Sequence, residues 1–565
     1  MQKFHKLPYQ RPDMDELKTD FNSIIELFDN SQNVNQQLIC IQRLESIKSH
    51  FGTMNTLASI RHTIDTRDEF YDQEIEFFNE NSPLFEEMTN QFDQAVVKSL
   101  FRAELEEKLS KQYFNLIDVK LKTFKPEILP DLIEENKLST EYSKLVASAE
   151  VEFEGETYTL AQLTPFRQDK DRARRKAATA AYYGFYADNQ EQLDRIYDDL
   201  VKVRTKIART LGYENFIELA YYRLSRTDYN AADVAKYRNQ VYTEIVPLVS
   251  KLKQRQQARL GLSELKHYDE SLNFNTGNPL PQGDSDFIVD QAKTMYQELS
   301  PETDEFFNFM LDYELMDLLA KPGKEAGGYC TLISDYKAPF IFANFNGTQG
   351  DIEVMTHEAG HAFQCFQSRD IFPSDLIWST LEAAEIHSMS MEFLTWPWMN
   401  LFFKEQTDKF KFSHLSGSIE FIPYGVAVDE YQHWVYANPE ATPAERNAMW
   451  REIEQKYQPH LDFDGDEFLE NGGKWMRQLH IFGAPMYYID YTLAQVCAFQ
   501  FLLKSLADPE NAWADYLKLC QTGGSKPFLE LLEVANLENP FKEGSLAKVM
   551  PKLEEILNSF DDQNM

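Results

Sequence analysis

Long apolar runs are missing from this chain. No stretch of 18 apolar residues occurs in its 565 positions, which excludes a membrane-spanning helix from the reading. Its first residues, Met1-Gln2-Lys3-Phe4-His5-Lys6-Leu7-Pro8, lack the apolar centre of an export signal, so a soluble, cytoplasmic protein is expected. Cysteine is sparse too. Cys40, Cys330, Cys365, Cys497 and Cys520 form an odd, scattered set without C-x-x-C spacing. That excludes a disulfide framework and reads as reduced core thiols in a reducing compartment. Basic charge is in deficit, with 56 Lys and Arg against 91 Asp and Glu, a net −35. A nucleic-acid partner needs a basic footprint, and none is expected here. The acidic balance reads first as a solvating surface and second as a field that steers cationic peptides. Repeats of 20–50 residues are absent, which excludes a solenoid.

What is there is a globular composition, 43% hydrophobic and 13% aromatic. A chain of this length buries most of its unfolded surface and divides into more than one lobe. Its texture is helical: Met14–Asp29, Tyr71–Lys122 and Asp169–Gly212 space apolar residues among Glu, Lys, Arg and Gln with few breakers. Glu154-Gly155-Glu156, between short β-branched and aromatic runs, predicts a hairpin island. The loop from Asn273 to Asp284 marks entry to a second half of the chain. Asp462-Phe463-Asp464-Gly465-Asp466-Glu467 resembles a calcium loop only superficially, because its Gly is fourth rather than sixth and no Glu stands at twelve. It reads as a solvated turn, and with Gly472 and Gly473 as a mobile loop over a cleft.

Histidine is scarce at 11 residues, yet two fall in His357-Glu358-Ala359-Gly360-His361. Random placement yields roughly 0.02 such H-E-x-x-H pentads in a chain of this length, so chance is a poor explanation. On a helix, residues i and i+4 share a face and both rings reach one ion. Zinc takes imidazole nitrogens, and a catalytic zinc has three protein ligands with one position left for water. Glu358 lies about 100° around the helix, where it faces that water as a general base.

A third ligand is required. In the helical stretch Leu381–Glu392, the residues Glu382, Glu385, Met389 and Glu392 fall on one stripe. Spacing leaves Glu382 and Glu385 both open, while His387 lies off the stripe and reads as a core or supporting histidine.

These pieces together resemble the thimet-oligopeptidase and oligoendopeptidase F family of metallopeptidases, most closely its compact Pz-peptidase branch. H-E-A-G-H-A-F is similar to the family's H-E-x-G-H core. Ala384-Glu385-Ile386-His387-Ser388-Met389 is similar to its A-E-x-x-S segment, whose Glu is the third zinc ligand; the resemblance therefore selects Glu385. Gly327-Gly328-Tyr329-Cys330 and Pro339-Phe340-Ile341-Phe342-Ala343-Asn344-Phe345 resemble its substrate strand. His480 followed by Tyr487-Tyr488-Ile489-Asp490-Tyr491 resembles its His-then-tyrosine cluster, and Asn539–Leu546 its closing motif. Val151–Leu160 matches a hairpin of the oligoendopeptidase branch. Where the larger thimet-type enzymes carry a tyrosine about five residues after the equivalent of His480, this chain has Ala484 and Pro485, leaving Tyr487, Tyr488 and Tyr491 all open as oxyanion donors.

The resemblance implies a mainly α, two-lobed helical oligopeptidase enclosing a deep substrate channel, with a small β-element beside the active site. Residues 1–200 are expected to form a helical cap lobe with its hairpin near 151–160, and 201–565 a catalytic lobe. One Zn2+ per chain is expected on His357, His361 and Glu385, with Glu358 as general base on a zinc-bound water. His480 and Tyr487, Tyr488 or Tyr491 are expected to stabilise the oxyanion. Gly328, Tyr329, Phe342, Ala343 and Asn344 are expected to hold an extended peptide by strand addition. The substrates implied are internal bonds of short unfolded peptides; no nucleic-acid or membrane partner is expected, and monomer or homo-oligomer stays open. The alternatives are a carboxypeptidase or dipeptidyl-carboxypeptidase, for which Arg477 could hold a terminal carboxylate, and a non-catalytic zinc-containing peptide-binding protein.

Overall fold

The structure, a computed structural model, describes residues Met1–Met565. The protein is mainly α-helical, with five short strands in two small sheets. Met14–Asp29 is a helix as its pattern predicts, capped by the Asp13 carboxylate on the amides of Asp15 and Glu16. The Tyr71–Lys122 pattern resolves into three helices, Glu69–Lys98, Arg102–Leu109 and Lys111–Lys120. The last break falls at Ser110, whose φ of 118° no helix accommodates and whose hydroxyl caps the next one. Asp169–Gly212 becomes Arg172–Asp188 and Gln190–Leu211, closed by left-handed Gly212.

The helices between residues 14 and 121 pack a small apolar core containing Phe28, Phe92 and Phe114, which Leu376 also joins. A far larger core runs from Phe4 to Leu557 and surrounds the helices that carry the H-E-x-x-H and Glu385 segments. Strands β1 (Val151–Phe153) and β2 (Glu156–Tyr158) form the expected antiparallel hairpin, with Glu154 and Gly155 both at positive φ. The second sheet has β3 (Met316–Leu319), β4 (Tyr329–Ile333) and β5 (Ala338–Phe345) in the order β3-β5-β4. β3 pairs with β5 in parallel and β4 with β5 antiparallel.

That order corrects one expectation. β5 has a neighbour on both sides, so its backbone has no free edge for a peptide, and Phe342 and Ala343 are fully buried. The outer strands are β3 and β4, and β4 is the one that lines the cleft. Asn344 also turns out to hold the protein itself: its amide donates to the carbonyls of Glu325 and Gly327, at 2.8 Å each, and pins the loop that leads into β4.

The 462–473 segment is tied down. Lys266 and Lys176 pair with Asp462 and Asp464, Phe463 is buried, and a Cβ on Gly472 would meet the Asn447 carbonyl oxygen at 2.0 Å. All five cysteines are unpaired, and all but Cys330 are buried. No helix is long and apolar enough to cross a membrane.

Candidate active site

The H-E-x-x-H residues lie in the helix Gly350–Ser368. Its start is fixed by Asp351, whose two carboxylate oxygens accept the amides of Asn346 and Gly347 in the preceding turn. The second helix, Leu381–Leu394, crosses it at Gly360. There a Cβ would stand 2.6 Å from both the His387 carbonyl oxygen and Ser388 Cα, so only glycine permits this approach. The close crossing brings Glu385 between the two imidazoles: its Oε2 is 3.2 Å from His357 Nε2 and 3.3 Å from His361 Nε2. The donor atoms of all three residues lie within 4.8 Å of one another.

Glu382, the alternative that spacing left open, is buried near Arg226 and Asp490 and offers no ligand atom to the cluster. His387 is fully buried and contributes no ligand atom. Burial opposes ionisation of Glu385, but His361 and His357 outweigh it and hold the carboxyl well below its usual range. Two imidazoles and an ionised carboxylate, converging in a buried pocket, fit a divalent cation with three protein ligands.

Sequence reasoning placed Glu392 on the ligand stripe but gave it no role. Its carboxylate takes His357 Nδ1 on one oxygen and His414 Nε2 on the other, each at 2.7 Å. The Trp396 indole donates to His414 Nδ1 at 2.9 Å. An indole can only donate, so His414 carries its proton on Nε2 and gives it to Glu392. The chain Trp396–His414–Glu392–His357 orients the ring of His357 so that Nε2 faces Glu385.

Glu358 is buried, and its Oε2 has no hydrogen-bond partner. Burial raises its carboxyl, with the two imidazoles pulling the other way. Gly328 lies directly against it, because a Cβ there would stand 3.2 Å from Glu358 Oε1. On the facing wall, Gln478 Nε2 donates to His480 Nδ1 at 2.8 Å, and His480 Nε2 meets the Tyr491 hydroxyl at 3.0 Å. Tyr424 donates to Gln478 Oε1 at 2.8 Å, so the amide is held at both ends. His480 is therefore neutral with its proton on Nε2, and burial lowers it to about 4. That N–H donates to the Tyr491 oxygen, leaving the phenol proton free.

The three tyrosines separate. Tyr487 precedes the helix Ile489–Ala507 and donates its hydroxyl to Glu385 Oε1, although its ring still lies 4.9 Å from that of Tyr491. Tyr488 packs on Phe421 and Tyr424. Tyr491 alone joins His480 through its hydroxyl.

Cavities open on both sides of the cluster. One of about 560 Å³ is lined by Tyr329, Cys330, Thr331, His361, Glu385 and Tyr487. Another of about 520 Å³ is lined by Glu392, His414, Phe421 and Tyr488. His357, Glu358, His480 and Tyr491 line both, so the cluster sits where the two meet. Ser143 reaches the first cavity and Gln168 the second, from the N-terminal part of the chain. A larger cavity of about 930 Å³, beside Lys122, Tyr222 and Arg226, contains none of these residues.

Two histidines and a glutamate around a buried acid, in a cleft walled by a strand edge, define the class of metallopeptidases. Comparison with known proteins gives the particular family. Residues 4–124 match the peptidase M3 N-terminal domain and residues 166–551 match peptidase family M3. The chain belongs to peptidase family M3 and is a metalloendopeptidase. The solved structure of PZ peptidase A with inhibitor 2 is 55% identical and superposes with a TM-score of 0.99 over 99% of this chain and 100% of that one. The oligoendopeptidase F homolog of Borreliella burgdorferi is 23% identical over 420 residues, 72% of this chain and 68% of that protein. The oligoendopeptidase-F from Enterococcus faecium, 16% identical, shares the fold with a TM-score of 0.63 over 97% of this chain and 98% of its own.

Proposed function

We propose that this protein is a zinc-dependent oligoendopeptidase that hydrolyses internal bonds of short, unfolded peptides. The observation that carries the reading is the convergence of His357 Nε2, His361 Nε2 and Glu385 Oε2 beside the unpartnered oxygen of Glu358. His357, His361 and Glu385 would hold one ion; when bound, zinc supplies Lewis acidity that polarises a peptide carbonyl and acidifies water. Glu358 takes the proton of the attacking water and returns it to the leaving amine nitrogen. The free phenol proton of Tyr491, aligned by His480, is directed at the oxygen that becomes negative at the tetrahedral stage. The open edge of β4, beginning at Tyr329, offers backbone donors and acceptors to an extended substrate. The loop held by Asn344 sets Gly328 against Glu358, and the lack of a side chain there leaves room for the reacting bond.

Residues 1–200 serve as a cap: Ser143 and Gln168 face the catalytic half across the cleft and limit entry to thin, unfolded chains. Unpaired thiols throughout fit work in the reducing cytoplasm. The test is Glu358→Gln, a change that keeps size and the metal ligands. Metal content should stay at one ion per chain while turnover of a quenched peptide library falls by roughly 10²–10⁴-fold. An unchanged rate removes the general base from this reading. Peptides amidated at the C-terminus separate an endopeptidase, which still cuts them, from a carboxypeptidase, which does not.

A further inference from the structure

Beyond the metal cluster the cleft continues into a third cavity of about 310 Å³. It shares Glu270, Ser271, Glu420 and Phe421 with the 520 Å³ cavity, so the two are continuous. In a chain of net charge −35, this recess is lined by four cations, Arg167, Lys253, Lys474 and Arg477, against two carboxylates, Glu270 and Glu420. The acids are already taken. Lys253 pairs with Glu420 at 2.7 Å, and His460 Nε2 lies 3.2 Å from Glu270. Lys474 pairs with Glu454 at 3.1 Å.

Arg167 and Arg477 are the exceptions. No carboxylate lies within 4.0 Å of either guanidinium. Both Nε atoms are buried without a hydrogen-bond partner. Aromatic rings cover their faces instead: Arg167 stacks 4.0 Å above Tyr182 and Arg477 lies 5.2 Å from the Tyr424 ring. Stacking satisfies the faces of a guanidinium and leaves its edge donors, which are the groups that grip a carboxylate. The local potential registers on Tyr182. Burial raises that phenol, yet Arg477 and Arg167 together bring it below its usual value. Half-buried arginines without acids still carry a desolvation cost and are kept where an anion visits.

Position gives the anion its identity. Arg477 lies three residues before His480, on the segment that carries His480 into the cleft, while β4 lines the cavity on the other side of the cluster. A peptide laid along β4 and across Glu358 arrives with its far end at this recess.

Resting on the peptidase reading above, we propose that Arg167 and Arg477 form a subsite for a carboxylate of the substrate, its C-terminal α-carboxylate, and so set the direction in which peptides lie in the cleft. The same chemistry would admit an Asp or Glu side chain, and the experiment distinguishes the two.

Steady-state kinetics are measured on metal-loaded enzyme with quenched peptides of one sequence, ending in a free acid or an amide. Amidated versions with Glu or Gln near that end are run beside them. The free acid should show kcat/KM about tenfold or more above the amide, carried mainly by KM, as expected for a charged hydrogen-bonded contact. In Arg477→Met and Arg167→Met, the acid-to-amide ratio should collapse toward one. A preference for Glu over Gln among the amides, without an acid-over-amide preference, reassigns the recess to acidic side chains and overturns the terminal assignment. Equal rates for acid and amide in the wild-type enzyme overturn the proposal without any variant having to fold. A ratio untouched by both substitutions overturns it as well. Failure of the metal-loaded enzyme to cut any peptide strikes the peptidase reading instead, so the two failures are distinguishable.

Discussion

The Glu392 carboxylate stands 2.7 Å from Nδ1 of His357, on the side of the ring opposite the nitrogen that faces Glu385. Supporting carboxylates of this kind fix the tautomer and strengthen the imidazole as a ligand, and their loss costs about 10–100-fold in metal affinity. Glu392→Gln should weaken metal binding by that factor, read by chelator competition on the isolated protein. Glu358→Gln, which alters no ligand support, serves as the comparison. Equal affinity in Glu392→Gln and wild type would refute the orienting role.

The neighbouring helix contact has a structural consequence. With 2.6 Å between a Cβ at Gly360 and the His387 carbonyl oxygen, Gly360→Ala must push the two ligand helices apart. Overpacking of a tight interface costs about 1–3 kcal/mol. A melting temperature lowered by a few degrees, together with weaker metal binding, is expected from thermal denaturation and metal titration. Wild-type stability in the alanine variant would mean that the crossing yields freely.

Tyr487 and Tyr491 should part company in kinetics. The Tyr487 hydroxyl is committed to Glu385, whereas the Tyr491 hydroxyl accepts from His480 and keeps its own proton for the substrate. Tyr491→Phe is expected to lower kcat by roughly 10²–10³-fold, the usual cost of one oxyanion donor, with metal content intact. Tyr487→Phe should act first on metal affinity through its Glu385 contact. Should Tyr487→Phe lose kcat at full metal occupancy while Tyr491→Phe does not, the two roles are exchanged.

The legible parts of this site are those encoded at short range. His357 and His361 share a helical face because i and i+4 must, and Glu385 sits on a stripe that any helix of that sequence displays. The mainly helical character followed in the same way from spaced apolar residues. What stayed hidden needs pairing across distant segments. The partner of Glu392 is His414, 22 residues away on another helix, and nothing in a local pattern joins them. β5 reads as a strand from its own residues, but its central position depends on β3, a four-residue strand without alternation. Hence Phe342 and Ala343 looked available and are buried. Arg167 and Arg477 are 310 positions apart, and only the fold sets them around one recess.

Acid stability offers a test remote from the metal ligands. Glu135 is buried between Arg204, at 2.7 Å, and Arg223, at 2.8 Å. Burial alone would raise its carboxyl, but the two guanidinium groups overcome that and lower it from 4.5 to about 2. A carboxyl depressed in the folded state binds its proton more readily once unfolded. Its contribution is therefore complete above pH 4.5 and is lost as pH falls through about 2. The linkage amounts to roughly 3 kcal/mol, and removing the charge leaves two arginines facing a neutral amide at a cost of about 3–5 kcal/mol. Glu135→Gln should accordingly be destabilised most at pH 7 in urea unfolding, and the gap from wild type should narrow between pH 4.5 and pH 2. A gap that stays constant over this range would show that packing of the side chain, rather than its charge, accounts for the loss.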